Sequence, residues 1–138
     1  MKEGSTEFFG DKAKVVSKKM TAFYNPEMKY VRDLTIAVIN SWNKKQLRIG
    51  LPLAGTGVRA LRLLKEADNI AYVYCNDHDK KTFEIMKKNK EVYGNDKMFI
   101  ASEEADEFLL YRKGFDYIDI DPYGSPNPFL DAAIKRIS

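Results

Sequence analysis

The sequence predicts a doubly wound α/β fold, a parallel sheet with helices on both faces. Three observations carry that prediction. Short apolar runs alternate with amphipathic segments in the order β-α-β-α-β-α-β-α from Leu47 onward, and such alternation yields parallel strands joined by helical crossovers. The connections are short, and right-handed crossovers then distribute the helices over both faces. Finally, the strand-like runs end in residues suited to a ligand: Ala54-Gly55-Thr56-Gly57, Asn76-Asp77 and Asp121-Pro122-Tyr123-Gly124. Open α/β sheets place their chemistry at the carboxyl ends of strands.

With 138 residues, 44% hydrophobic and 31% charged, the chain suffices for one domain with a core. No apolar run is long enough for a transmembrane helix, and the polar Met1-Lys2-Glu3-Gly4 does not resemble a signal peptide. No membrane partner is expected. The single cysteine, Cys75, rules out an internal disulfide and fits a reducing cytoplasm. Its apolar neighbours point to packing rather than reactivity. The net charge of +3 is unevenly spread: residues 1–50 hold ten Lys and Arg against five Asp and Glu, and residues 51–138 hold thirteen against fifteen. A basic amino-terminal third suits contact with a polyanion.

Residues 1–22 read as a basic extension or small hairpin, with Ala13-Lys14-Val15-Val16 as one strand, and residues 23–138 as the main domain. Pro26 can open a helix at its first turn. From there to Trp42 the apolar positions Met28, Val31, Leu34, Ile36, Val38, Ile39 and Trp42 recur at helical spacing. Arg32 and Asp33, taken by themselves, read equally well as a surface pair. Leu47 to Leu53 is a strand, residues 54–57 a tight turn and Val58 to Glu66 a helix. Glycines in such a turn admit a ligand close to the backbone, and the helix start offers free N–H groups. By itself this Gly-x-Gly is a weak signal.

Ile70 to Cys75 is the second strand. Asp77 follows it, twenty positions after Gly57, where nucleotide-binding α/β folds place the acid that holds a ribose diol. Asp79 can cap the next helix and leave Asp77 free. His78 is the one histidine, so no metal cluster is built around it and it reads as a loop residue. Lys80 to Tyr93 is an amphipathic helix with Phe83, Ile85, Met86 and Val92 inward, closed by Gly94-Asn95. Lys97 to Ala101 is a short strand. The acidic turn Ser102 to Asp106 then caps a helix through Leu110.

The fourth apolar run, Phe115 to Ile120, carries two acids and stops at Pro122, since proline cannot donate to a ladder. Asp121 therefore sits at a strand end, beside the flat ring of Tyr123 and the adaptable Gly124. Acid, proline and aromatic together suit a planar base held by stacking, with its exocyclic amine on the carboxylate. Pro128 to Ile137 forms the last helix, with Phe129, Leu130, Ala133, Ile134 and Ile137 on one side.

Glycine turn, Asp77 and acidic turn together outline a pocket for an adenosine-type cofactor. A dinucleotide favours a fuller Gly-x-Gly-x-x-Gly, whereas Gly55-Thr56-Gly57-Val58-Arg59-Ala60 has alanine third, which some such sites allow. The Asp-Pro-Tyr loop decides for S-adenosylmethionine, because hydride transfer has no use for it.

At this point the sequence resembles the tRNA guanine-N2 dimethyltransferases, in whose enzymes the fold is a Rossmann-like class I methyltransferase sheet. The resemblance runs from about Phe23 to the last residue. It rests on Phe23-Tyr24-Asn25-Pro26-Glu27-Met28 with Arg32-Asp33, on Leu53-Ala54-Gly55-Thr56-Gly57-Val58-Arg59, on Asn76-Asp77, and on Asp119-Ile120-Asp121-Pro122-Tyr123-Gly124-Ser125-Pro126. It implies S-adenosylmethionine as cofactor and tRNA as partner. By the same resemblance Ala54, Gly55, Thr56 and Gly57 line the cofactor, Arg32 contacts its carboxylate and Asp77 its ribose. Glu104 and Ala105 lie near adenine, where the family usually has Asp-Ala. Asp121 accepts a hydrogen bond or proton from the guanine amine, and Phe23 and Tyr123 sandwich the base, which has left its stack.

Two departures from the family stand out. Leu51-Pro52 occupies a place where the family often has an acid, which is expected to weaken cofactor binding. The chain also carries about four of the seven strands of such a sheet, without the family's carboxy-terminal RNA-binding domain. The expectation is an incomplete sheet whose long fourth-strand edge is completed by a second chain or a homo-oligomer, unless the chain is a fragment. The competing reading is a non-catalytic cofactor- or RNA-binding half-domain acting with a partner. A third, adenine or protein-amide methylation, is disfavoured because Tyr123 stands where those loops carry a second proline.

Overall fold

The computed structural model describes residues 1–12, 23–112, 114–122 and 124–138, with the backbone alone for Asp11, Lys12 and Phe23. Two two-residue strands, β1 (Lys2–Glu3) and β2 (Thr6–Glu7), pair antiparallel. β3 (Asp11–Lys12) pairs parallel with β4 (Phe23–Tyr24). The hairpin strand expected at Ala13–Val16 lies outside the described residues. Asn25 then accepts from the Glu27 N–H at 2.9 Å, so the chain turns into a short 3-10 segment, Pro26–Met28, and α1 (Lys29–Ser41).

The main sheet follows in the predicted alternation: β5 (Leu47–Leu51), α2 (Val58–Glu66), β6 (Ile70–Asn76), α3 (Lys80–Tyr93), β7 (Met98–Ala101), α4 (Ala105–Leu110), β8 (Tyr117–Ile118) and α5 (Asn127–Arg136). The strands are parallel in the order β7-β6-β5-β8. Consecutive strands β5, β6 and β7 run outward one way, and β8 returns to the other side of β5. That reversal opens a crevice at the strand ends, where such sheets bind ligands. One core lies against α1, α2 and α3, around Ile39, Leu47, Ile49, Leu61, Val73 and Met86. The other lies against α4 and α5, around Phe108, Leu109, Phe115 and Ala133. The sheet is therefore covered on both faces, and each fully buried Leu or Ile there contributes about 1.5–3 kcal/mol.

Three details differ from the sequence expectation. The fourth strand shrinks to a two-residue ladder, flanked by Asp116 N–H to Arg48 O at 2.8 Å and Asp119 N–H to Gly50 O at 3.0 Å, while Phe115 bridges to Ile137. Its edge is short rather than long. In α3 the inward positions include the polar Thr82 and Asn89, while Val92 is exposed. Asn89 accepts from Phe9 N at 2.6 Å and donates to Phe9 O and Thr56 O at 2.8 Å, pinning the amino-terminal segment to the glycine turn. In α1 the buried stripe is Arg32, Thr35, Ile36 and Ile39, leaving Leu34 and Val38 outside. Among the described residues no helix is long and apolar enough to cross a membrane.

Candidate functional site

A cavity of about 720 Å³ opens at the carboxyl ends of β5, β6 and β8, within the usual range of about 300–1,000 Å³ for small-molecule sites. Arg32, Ala54, Gly55, Thr56, Asp77 and Asp121 all line it. Tertiary structure thus gathers six residues singled out in the sequence from four separate segments. Gly57 belongs to the same turn as Gly55 but does not line the cavity. Its φ of +79° is left-handed, which favours glycine, and a Cβ there would also crowd Met98 Cε at 3.1 Å and Met86 Cγ at 3.2 Å. Glu104 and Ala105 lie outside the lining, at the start of α4. Tyr123 and the Phe23 side chain lie outside the described residues.

Asp79 caps α3 through Thr82 N at 2.8 Å, as its position predicts. Asp77 is not left free. Its Oδ2 accepts from Gly55 N at 3.0 Å and its Oδ1 from Asp79 N at 3.1 Å, joining the first and second strand ends. Burial raises its carboxyl above the ordinary range and the two backbone donors oppose that rise. Behind it, the buried Asn76 donates to Pro52 O at 3.0 Å and Glu103 O at 2.9 Å, and accepts from Glu103 N at 2.9 Å. One amide thus ties three strand ends together. Nothing in the local pattern singled Asn76 out except its place beside Asp77.

Arg59 is the residue that sequence reading missed. It lies buried at the start of α2 and lines the cavity. Its Nη1 pairs with Asp119 and donates to Thr35 Oγ1 at 3.1 Å, and its Nη2 meets Asp121 Oδ2 at 3.2 Å. Tyr117 also donates to Asp119, at 3.2 Å. Burial raises the Asp119 carboxyl, Arg59 pulls it down and Asp121 pushes it up again. A smaller cavity of about 260 Å³ adjoins, and Met28, Arg59, Asp119 and Asp121 line both. Asp121 stands at the junction.

Arg32 is buried and does not form a surface pair with Asp33. Its Nε and Nη2 donate to Glu3 at 2.8 and 2.6 Å, and Nη2 also to Asn25 O at 3.0 Å. Asp33 is shared by Lys29 and Arg62 instead. Glu3 further accepts from Tyr24 at 2.6 Å and Arg62 at 2.9 Å. Burial alone would raise Glu3, but these donors outweigh it and bring its pKa from 4.5 to about 2. Asp116 is likewise opposed by burial and held well below the carboxylate range by Arg48 and Lys44. A carboxylate depressed on folding contributes stability above its unfolded value, lost as pH falls through the folded one. On account of Glu3 and Asp116, thermal midpoints are therefore expected to fall steeply between pH 4.5 and about 2. A circular-dichroism series that stays level to pH 2 would contradict this account.

The family model for N2,N2-dimethylguanosine tRNA methyltransferase matches residues 4–138. The tRNA (guanine(26)-N(2)/guanine(27)-N(2))-dimethyltransferase of Aquifex aeolicus is 39% identical over 126 residues, 86% of this chain and 32% of that protein. The tRNA (guanine(26)-N(2))-dimethyltransferase of Pyrobaculum arsenaticum is 34% identical over 139 residues, 99% of this chain and 39% of that protein. Among solved structures, Trm1 from Pyrococcus horikoshii with S-adenosyl-L-methionine superposes with a TM-score of 0.85 at 27% identity, over 99% of this chain and 39% of that one. The chain thus spans about a third of the length of these curated relatives.

Proposed function

This chain belongs to the N2,N2-dimethylguanosine tRNA methyltransferase family, and from that premise we propose that it supplies the cofactor site and the catalytic carboxylate for methylating the exocyclic N2 of a tRNA guanine. The observation that carries the proposal is the single cavity that unites the glycine turn, Asp77 and Asp121. Its donor set fits S-adenosylmethionine: a carboxylate for ribose hydroxyls, a guanidinium for an amino-acid carboxylate, and an apolar, glycine-bounded floor between them. When bound, that cofactor supplies an electrophilic methyl group on a sulfonium.

The chain's own residues do the rest. Asp77 holds the ribose hydroxyls, Arg32 the carboxylate, and Gly55 lets the ligand approach the backbone. Asp121 accepts a hydrogen bond from the guanine amine and aligns the nitrogen for in-line attack, then takes the proton released. Glu104 and Ala105 at adenine, and Phe23 and Tyr123 around the base, are assigned on family resemblance. The tRNA contacts of the complete enzyme, its cytoplasmic location and any strand added along β8 by the same or a second chain belong to the same proposal.

Calorimetric titration with S-adenosylhomocysteine tests it. Saturable one-site binding is expected, and Asp77→Asn is expected to weaken it about ten- to hundredfold, the cost of losing a hydrogen bond to a charged group. Asparagine has one acceptor oxygen where Asp77 uses two, for Gly55 N and Asp79 N, so weaker binding reads the ligand only if the variant's thermal midpoint is unchanged. No saturable binding by the unsubstituted chain overturns the proposal.

A further inference from the structure

Glu3 does not line the cavity, but it bonds directly to two residues that do, Arg32 and Tyr24. It is 3% exposed, and its two principal partners, Arg32 and Arg62, are 5% and 4% exposed. Oε1 accepts from Arg32 Nε at 2.8 Å and Arg62 Nη1 at 2.9 Å, while Oε2 accepts from Arg32 Nη2 and Tyr24 Oη, both at 2.6 Å. Gly4, at φ +54° in the β1–β2 turn, lies so close to α2 that a Cβ would meet Glu66 Oε1 at 2.3 Å.

Stability alone does not account for this arrangement. Buried ion pairs repay their desolvation poorly, and apolar residues of similar volume often serve as well. What a bidentate carboxylate supplies is orientation of a planar, five-donor fork. Three bonds within that fork run from Nε and Nη2 to Glu3 and Asn25 O. The Tyr24 ring covers one face, with its centroid 5.1 Å from Arg32 Cζ. Among the described residues nothing pairs with Nη1, and Arg32, Tyr24 and Asn25 all line the cavity.

We infer that Glu3 is a positioning residue for ligand recognition: it locks the Arg32 guanidinium so that Nη1 is presented to a carboxylate in the cavity. The inference rests on the proposed role of Arg32 toward the cofactor's carboxylate. Glu3 itself touches no ligand. Arg62 closes the far side of Glu3 and is itself balanced by Asp33 and Glu66, so the lock adds little net charge to the site.

Two ligands separate positioning from mere structure. S-adenosylhomocysteine carries the amino-acid carboxylate; 5′-methylthioadenosine shares the adenosine and thioether and lacks it. In calorimetry with the full chain, Glu3→Gln is expected to weaken S-adenosylhomocysteine about tenfold, and methylthioadenosine less than about twofold. Glu3→Asp keeps the charge but is one methylene too short for the bidentate bond, so it is expected to show the same selective loss. Equal losses for both ligands would make Glu3 structural only and overturn the inference. So would tighter S-adenosylhomocysteine binding, which would mean that Glu3 competes for Arg32, or unchanged affinities in both variants. Failure of the unsubstituted chain to bind S-adenosylhomocysteine is a different result, and it overturns the cofactor reading itself.

Discussion

Under the proposed function, Asp121→Asn in the complete enzyme is expected to lower methyl transfer to a tRNA guanine by about 10²–10⁴-fold, the range of a positioned acid–base group, and to leave S-adenosylhomocysteine affinity within about twofold. Asparagine keeps the shape of the side chain but neither its charge nor its capacity to take a proton. The substitution spares the cofactor because the ribose and amino-acid contacts are assigned to Asp77 and Arg32, on other strand ends and on α1. Arg59 occupies Oδ2 of Asp121, and among the described residues nothing occupies Oδ1. One oxygen is thus anchored while the other is left for the amine. Single-turnover transfer with radiolabelled cofactor, set beside calorimetry, reads both quantities. Wild-type turnover in Asp121→Asn would remove Asp121 from the chemistry. A parallel loss of cofactor affinity would relocate its role to binding.

Arg59→Leu is expected to cost about 3–5 kcal/mol at neutral pH, the penalty for leaving a buried carboxylate without its counter-charge. The partner left behind is Asp119, whose side chain is 13% exposed. Asp121 is 44% exposed and water can compensate it, so little of the cost arises there. The direction with pH follows from burial, which already raises the Asp119 carboxyl. A carboxylate raised on folding opposes the folded state above its folded pKa and ceases to do so as it protonates. Removing the arginine raises it further, so the Arg59→Leu deficit is expected to shrink as pH falls toward 5. Adding Asp119→Asn should recover part of it at pH 7, because no charge then remains buried. Urea titrations of the single and double variants at both pH values check this. A deficit that is independent of pH and unrelieved by Asp119→Asn would show that Arg59 acts through packing of its stem.

The strand–helix order, the helix bounds at Val58–Glu66 and Lys80–Tyr93, the cap at Asp79 and the turn at Gly55–Gly57 were all legible in the chain. Each depends on periodicity or on backbone preferences within a few residues. The ligand-bearing strand ends were legible for a related reason: a parallel sheet brings the turns after its strands to one rim whatever the side chains do. Partner choice among charged groups was not legible. Arg32 and Asp33 are sequence neighbours, yet Arg32 pairs with Glu3, 29 positions away, and Arg59 reaches Asp119 and Asp121, 60 and 62 positions away. Those pairings depend on which faces of α1 and α2 turn inward. That rotation is decided by the summed burial of Ile36, Ile39, Leu61 and Leu63 against the sheet. The same rotation left Leu34 and Val38 outside and took Arg32 in. Local sequence determined the order of the main strands and helices and which strand ends carry ligand-suited residues. Only tertiary packing decided which buried charges face one another there, because a charge drawn inward with its helix must find its counter-charge wherever the fold has placed one.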